Sequence, residues 1–492
     1  MDYILGIDQS TQGTKALLFD GVGELICRAD LPHRQIVNEK GWVEHDGEEI
    51  YRNTVRVVRD LVDRAGIDKS QIRALGISNQ RETAIAFDRA TGKQVYNAIV
   101  WQCARGAYIC DRLEREGMAE RIRLSTGLKL SPYFSAAKLG WIMEQVPEAV
   151  RLKEEGRLCC GTMDSWLVYR LTGGKEFRTD YSNASRTQLF HIGNLTWDRE
   201  VCGLFGIPVE SLPEVTGSDA CYGYTDFEGF LEKPIPIHAV LGDSHGALFG
   251  QGCLKKGMIK TTYGTGSSVM MNIGEKPVLS EKVVTSLAWH MKGKATYVLE
   301  GNINYTGAVI TWLKDDLHLI GSPAETEELA GSANQDDRTY LVPGFTGLGA
   351  PYWDSRACAM FYGMSRLTGR AELVKAGLES IAYQITDVVK AMEEESGISI
   401  GELRVDGGPS RNRYLMQFQS DMAGIPVRVP SAEELSGIGA AYAAGIAMGM
   451  YGEEQLFGRM ERTSFTPGMD ETVREEKYGG WKCAVSRVLE CD

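Results

Sequence analysis

Two apolar runs closed by a polar, glycine-bearing turn occur twice in this chain, and that repetition constrains its fold more than any other feature. Tyr3-Ile-Leu-Gly-Ile7 and Ala16-Leu-Leu-Phe19 flank Asp8-Gln-Ser-Thr11-Gln12-Gly13-Thr14-Lys15. Gly257-Met-Ile-Lys-Thr-Thr262 and Val269-Met-Met-Asn272 flank Tyr263-Gly264-Thr265-Gly266-Ser267-Ser268. Each set reads as an antiparallel hairpin with a hydroxyl-rich tip. A third strand is expected over residues 24–29, a helix over 46–65 with Asp46 as N-cap, and a strand over 72–77 that feeds Ser78-Asn-Gln-Arg81. After the second hairpin a helix over 381–395 and a strand over 403–406 feed Gly407-Gly408. The parallel order predicts an internal duplication, two related α/β halves facing a cleft. At 492 residues the chain needs more than one core, so the division is placed at 1–250 and 251–492.

Neither turn is a Walker loop or a dinucleotide-binding turn, because no Gly-Lys-Ser/Thr follows and no helix starts there. Both offer successive backbone N–H groups and hydroxyls where glycine lets the chain approach a phosphate closely. Gly, Ser and Thr are also what plain hairpin loops use. Two such turns in matching places, with Gly407-Gly408 as a third, favour a phosphate-handling cleft. Between the halves, the apolar run Ile235 to Leu241 ends in Gly242-Asp243-Ser244-His245-Gly246. A strand that closes on Asp and opens a small-residue helix places a carboxylate beyond the carboxyl end of a sheet, where α/β proteins keep their chemistry.

A net charge of −13 argues against nucleic-acid binding, which requires a basic face. The eleven cysteines include no CxxC pair; Cys159 and Cys160 are adjacent, and a reduced, cytoplasmic setting is expected. No signal peptide is read before Met1-Asp2-Tyr3. Leu435 to Gly452 carries no charge, yet its glycines and alanines make it a weak span, so a buried helix is expected and no integral membrane segment.

Several stretches carry a resemblance to the FGGY carbohydrate kinases over nearly the whole chain, and among them to the glycerol-phosphorylating branch. They are Trp42-Val-Glu-His-Asp46, Ser78-Asn-Gln-Arg81-Glu82-Thr83, Asn97-Ala-Ile-Val-Trp101-Gln-Cys103, Pro132-Tyr133-Phe-Ser135 and Thr179-Asp-Tyr-Ser-Asn-Ala-Ser-Arg186-Thr187. Phe345-Thr-Gly-Leu-Gly-Ala-Pro-Tyr-Trp-Asp354, Leu378-Glu-Ser-Ile-Ala-Tyr383 and Arg404-Val-Asp-Gly-Gly408 complete the set. The resemblance implies an α/β fold of two RNase H-like domains, the actin-like ATPase plan, closing over ATP, Mg²⁺ and a small polyol or sugar. It implies that Asp243 is the general base. It also implies that Arg81, Glu82, Trp101, Tyr133, Asp243 and Ser244 hold the acceptor. Nucleotide contacts fall on Thr11, Gln12, Gly13, Lys15, Gly264, Thr265, Gly307, Thr311, Gly408 and Asn412, and the metal on Asp8 and Asp243. A homodimer or homotetramer is expected.

Chemistry fits these roles. A primary alcohol is a poor nucleophile at neutral pH, so a positioned carboxylate speeds its attack, and a polyol needs both donors and acceptors, which Arg81 and Glu82 supply. Four departures stand out. Ser244 replaces a Gln of the glycerol-specific members, Ser268 an aromatic ring, and Thr311 a Gln near the nucleotide. Glu228-Gly-Phe-Leu-Glu-Lys-Pro234 lacks the Gly-Gly-x-Arg loop that binds a sugar bisphosphate in enteric members, and no histidine for phosphocarrier activation is read there. Glycerol is the first expected acceptor. A longer polyol or a ketose (erythritol, threitol, a pentitol, xylulose or ribulose) is the second, and a non-enzymatic actin-like ATPase the alternative of another class.

Overall fold

The computed structural model describes residues 2–489, so Met1 and Cys491 lie outside the described residues. Two sheets share one strand plan. In the first, β1 (Tyr3–Gln9), β2 (Gly13–Phe19), β3 (Leu25–Pro32), β4 (Ile72–Asn79) and β5 (Ile235–Gly242) lie in the order β3-β2-β1-β4-β5. The β1–β2–β3 meander is antiparallel, and β4 and β5 join it in parallel. In the second, β6 (Ile259–Tyr263), β7 (Ser267–Gly274), β8 (Lys294–Ile303), β9 (Leu403–Gly407) and β10 (Val427–Pro430) repeat that order and those directions. Short strands extend the edges, and a smaller five-stranded sheet that includes Ala84–Asp88 and Leu158–Thr162 sits beside the first.

The registers of the two sheets match as well. Asp8 of β1 lies opposite Ser78 of β4, and Thr262 of β6 lies opposite Asp406 of β9. At equivalent places each half thus holds one carboxylate and one hydroxyl, with the carboxylate on the first strand in one half and on the fourth in the other.

The helices that frame the site are α1 (Gly47–Ala65), α2 (Ser135–Gln145), α3 (Tyr181–Ala184), α4 (Asp243–Gly250), α5 (Gly307–Asp315), α6 (Arg370–Ser396), α7 (Arg413–Ala423) and α8 (Leu435–Ala447). Asp46 caps α1 by accepting from the Glu48 N–H at 2.9 Å, and Gly66 ends it with a φ of 64°, a conformation glycine adopts without strain. The uncharged stretch from Leu435 forms α8, buried against the first sheet and against α4. A Cβ on Gly76 would stand 2.1 Å from the Ala440 carbonyl oxygen, and one on Gly439 1.9 Å from that of Gly246. Small residues there are a consequence of backbone-to-backbone approach. Ile4, Leu17, Phe19 and Ala74 of the first sheet share one core with Leu248, Met270, Val298, Ile438 and Ala441, so the halves meet through α4 and α8. No helix among the described residues is long and apolar enough to cross a membrane, and the described cysteines are free thiols.

Candidate active site

β5 ends at Gly242, and Asp243 begins α4. A Cβ on Gly242 would lie 2.7 Å from the Arg81 side chain, so glycine permits Arg81 to pass directly under the start of the helix. Asp243 keeps its carboxylate 34% exposed while Arg81 Nε stands 3.2 Å from its Oδ1. The Ser244 N–H donates to the same oxygen at 2.6 Å. Asp243 is therefore held beside a cation and a backbone N–H at the helix start, yet open to a ligand.

Arg81 and Glu82 follow β4 and are both buried. Arg81 Nε and Glu82 stand 3.9 Å apart, but their side-chain hydrogen bonds go to other partners. The two terminal nitrogens of Arg81 donate to Glu300 of β8 at 2.9 and 2.8 Å, and Glu82 accepts from Arg186 Nε at 2.6 Å. Arg186 also reaches Glu300 at 2.9 Å, and Ser268 Oγ donates to Glu300 at 3.0 Å. Burial alone would raise the Glu300 carboxyl, but the Arg186 and Arg81 guanidiniums outweigh it and hold the group well below the usual range. Glu82 sits at φ 57°, a left-handed backbone that is costly for a residue with a Cβ and is kept only where its surroundings enforce it.

Trp101 and Tyr133 form an aromatic wall with ring centroids 5.6 Å apart, and Trp101 Nε1 donates to Thr11 Oγ1 at 3.0 Å. That bond ties the acceptor side to the first turn. Lys138 of α2, wholly buried, donates to the carbonyls of Pro132, Tyr133 and Phe134 at 2.7, 2.5 and 3.2 Å. His245, also buried, has neither ring nitrogen in a hydrogen bond; burial, then the Arg81 charge, hold it neutral.

The first turn places Thr11, Gln12 and Gly13 at its tip, with Gln12 exposed. Lys15 is committed to Glu434, the residue before α8, and lies 3.9 Å from Asp8. Burial pushes the Asp8 carboxyl up to about 6, opposed by Lys15 and reinforced by the Asp243 charge. Across the cleft, Gly264 and Thr265 form the exposed tip of the second turn, and the N–H groups of Thr306, Gly307 and Ala308 donate to their carbonyls at 2.9 to 3.0 Å. A Cβ on Gly307 would stand 2.5 Å from the Gly264 oxygen. Thr311, one turn into α5, is exposed and bonds back to the Gly307 carbonyl at 3.3 Å. Gly408 opens on empty space, and Asn412 caps α7 through the Leu415 N–H at 2.9 Å while its amide donates to Thr326. The residues expected for nucleotide thus lie in or beside the two hairpin turns and at the starts of α5 and α7, and those expected for the acceptor lie after β4, at the start of α4 and in the aromatic wall.

This arrangement coincides with a family model on each side of the cleft: the N-terminal domain of the FGGY family of carbohydrate kinases over residues 3–250, and its C-terminal domain over residues 259–448. The chain belongs to the FGGY carbohydrate kinases. It is 48% identical to glycerol kinase 1 of Thermotoga maritima over 490 residues, covering 99% of each chain. It is 46% identical to a glycerol kinase of Alkaliphilus oremlandii, covering 99% of this chain and 97% of that one. Its structure superposes on a crystal structure of Plasmodium falciparum glycerol kinase with ADP at a TM-score of 0.93, with 34% identity and coverage of 99% and 98%.

Several charged residues at the candidate site are given no role by the sequence. Glu300 and Arg186 complete the charge network, and Glu434 holds Lys15. Lys260, buried and 2.8 Å from Thr262 Oγ1, faces the charge of Asp406. A lone charge inside an apolar strand was the available signal: Tyr297-Val-Leu-Glu300-Gly and Met258-Ile-Lys260-Thr both show one.

Proposed function

We propose that this kinase transfers the γ-phosphoryl group of ATP to a terminal primary hydroxyl of glycerol, giving glycerol 3-phosphate and ADP. The observation that carries the reading is Asp243, 34% exposed at the start of α4 with Arg81 Nε at 3.2 Å, the same Arg81 whose charge acts on Tyr133 of the aromatic wall. The relatives above act as the same class of catalyst by name. In this reading residues 1–250 bind the acceptor and present the first phosphate turn, while residues 251–492 bind the nucleotide.

The residues fit both absent partners. Gly266 and Gly307 are packed too closely for a Cβ, 2.4 Å from the Ile303 carbonyl oxygen and 2.5 Å from that of Gly264, and the exposed tip at Gly264 and Thr265 is where phosphate oxygens would approach. Asp8 and Asp243 are hard oxygen donors of the kind that hold Mg²⁺ together with water. When bound, magnesium supplies positive charge against the phosphate oxygens. The chain's own part is the proton. Asp243 accepts it from the attacking hydroxyl as the new O–P bond forms and the bond from phosphorus to the bridging oxygen of ADP breaks. Arg81 and Glu82 orient the other hydroxyls, and the aromatic wall covers the carbon chain. A cytoplasmic homodimer or homotetramer completes the proposal.

A longer polyol or ketose is the second reading, favoured by Ser244 and Ser268 in place of larger side chains. Ser268 opens volume, but its hydroxyl is already given to Glu300, so it offers an extra acceptor no free donor. An ADP-release assay with Mg-ATP across glycerol, the tetritols, the pentitols, xylulose and ribulose decides between them. Glycerol is expected to give the highest kcat/KM, and a longer acceptor ahead by about tenfold, some 1.4 kcal/mol in transition-state binding, would reassign the enzyme. Asp243→Asn is the control: turnover should fall by roughly 10²–10⁴-fold with nucleotide affinity kept.

A further inference from the structure

The acceptor site of this kinase is not built by one half. Arg81 and Arg186 come from the first half and are at most 5% exposed, while the carboxylate that joins them, Glu300, comes from β8 of the second and is wholly buried. Glu300 takes both terminal nitrogens of Arg81, one on each oxygen. A planar guanidinium gripped in this way has no rotational freedom left, and its remaining Nε edge is the one that meets Asp243 at 3.2 Å. The second arm runs through Arg186, which touches Glu300 with one nitrogen and Glu82 with another. From its own side, Ser268 on the neighbouring strand β7 donates to Glu300 and fixes the carboxylate.

We propose that Glu300 is an inter-lobe positioning residue: its docking against Arg81 and Arg186 assembles the acceptor site, so that Asp243 and Glu82 reach working geometry only when the two halves are closed on each other. The inference rests on the acceptor role given above to Arg81 and Glu82. Two arguments support it. No other carboxylate ion-pairs with Arg81 or Arg186 from the second half among the described residues. Separation of the halves would leave two guanidiniums with Glu82 and Asp243 alone, and a buried pair that loses one partner is strongly penalised. Closure and acceptor binding are therefore one event, with the ion network as the link between them.

The test is Glu300→Gln, which keeps shape and removes charge. Its acceptor kcat/KM is expected to fall by about 100-fold or more, while the affinity for an ATP analogue, measured by calorimetry, stays within about threefold of wild type. A residue that merely supported the fold would lower the melting temperature and leave kcat/KM per folded molecule unchanged. Should the Gln variant not accumulate folded, Glu300→Asp carries the same test. It keeps the charge but shortens its reach by one methylene, and acceptor KM should rise with nucleotide affinity intact. A folded variant of either kind whose acceptor kcat/KM stays within about threefold of wild type overturns the proposal. Wild-type protein is assayed first on the polyol panel. If it phosphorylates none of them, the substrate reading falls, and small-angle scattering on ligand-free protein decides the latch: a larger radius of gyration for Glu300→Gln supports it, and superposable profiles overturn it.

Discussion

Lys138 shows how much of this site depends on groups that touch no ligand. Its ammonium binds three successive carbonyls of the segment that carries Tyr133, at the start of a helix, where a cation gains nothing from the dipole. Burial pushes its pKa down to about 7, with Glu82, Cys103 and Cys110 favouring the charged form and Arg105 opposing it. The sign follows from the donor count. The ammonium donates three hydrogen bonds, the neutral amine two, so the clamp loses one carbonyl as pH rises through about 7. Acceptor KM is expected to be flat below that pH and to rise by about three- to tenfold toward pH 9, the worth of one ordinary hydrogen bond. Lys138→Met should show a raised KM with no such rise. A wild-type KM that does not change from pH 6 to 9 would remove the clamp from the account. At this scale legibility in the sequence divides by distance along the chain. Asp243 is visible because a strand end and a helix start surround it locally. For Glu300 the sequence shows a lone charge in an apolar strand but not its partner, because Arg81 lies 219 residues away. The Arg81-Glu82 dipeptide reads as a pair for the same reason, although each side chain turns to a different partner.

Elements whose signals are local were read correctly, among them the two hairpins, the Asp46 cap and the β4 strand. The helix expected over 381–395 runs from Arg370 to Ser396. Its first turns hide in the sequence because Lys375 and Glu379 interrupt the apolar pattern; both are in fact buried, with 3.6 Å between their charged atoms. For α8 the lack of charge predicts burial but cannot say against what, and the answer, α4 and the first sheet, comes from the other half of the chain. Two glycines separate packing from function here. Gly439→Ala puts a Cβ 1.9 Å from the Gly246 carbonyl oxygen, between two helix backbones. It is expected to lower unfolding free energy by about 1–3 kcal/mol in urea titration, the usual range for overpacking. Gly408→Ala meets nothing within 4 Å and should leave stability within about 0.5 kcal/mol. Its new methyl instead faces the proposed nucleotide side, so ATP KM should rise. A stable Gly439→Ala, or a Gly408→Ala with unchanged ATP KM, would contradict the packing or the nucleotide assignment respectively.

Across the whole molecule, charges from the two halves meet beside the first turn, Lys15 with Glu434, and near Asp243, Arg81 and Arg186 with Glu300. Water is the competing acceptor in any such enzyme, and the Asp243 carboxylate is open enough in this structure to meet it. A kinase avoids wasting ATP only if the geometry for attack is incomplete until the proper alcohol fills the wall of Trp101 and Tyr133 and the halves close to exclude solvent. A bare actin-like ATPase has no such requirement and no use for that wall. The two plans differ in one measurable ratio. ADP release from Mg-ATP alone should run at least about 100-fold slower than with saturating acceptor, since water lacks the binding contacts that hold an alcohol in line. Trp101→Ala should compress that ratio from the top, by lowering the acceptor-dependent rate while the background stays where it is. Equal rates with and without acceptor would mean that nucleotide turnover is the activity itself, and that Arg81, Glu300 and Asp243 serve lobe closure without phosphoryl transfer to an alcohol.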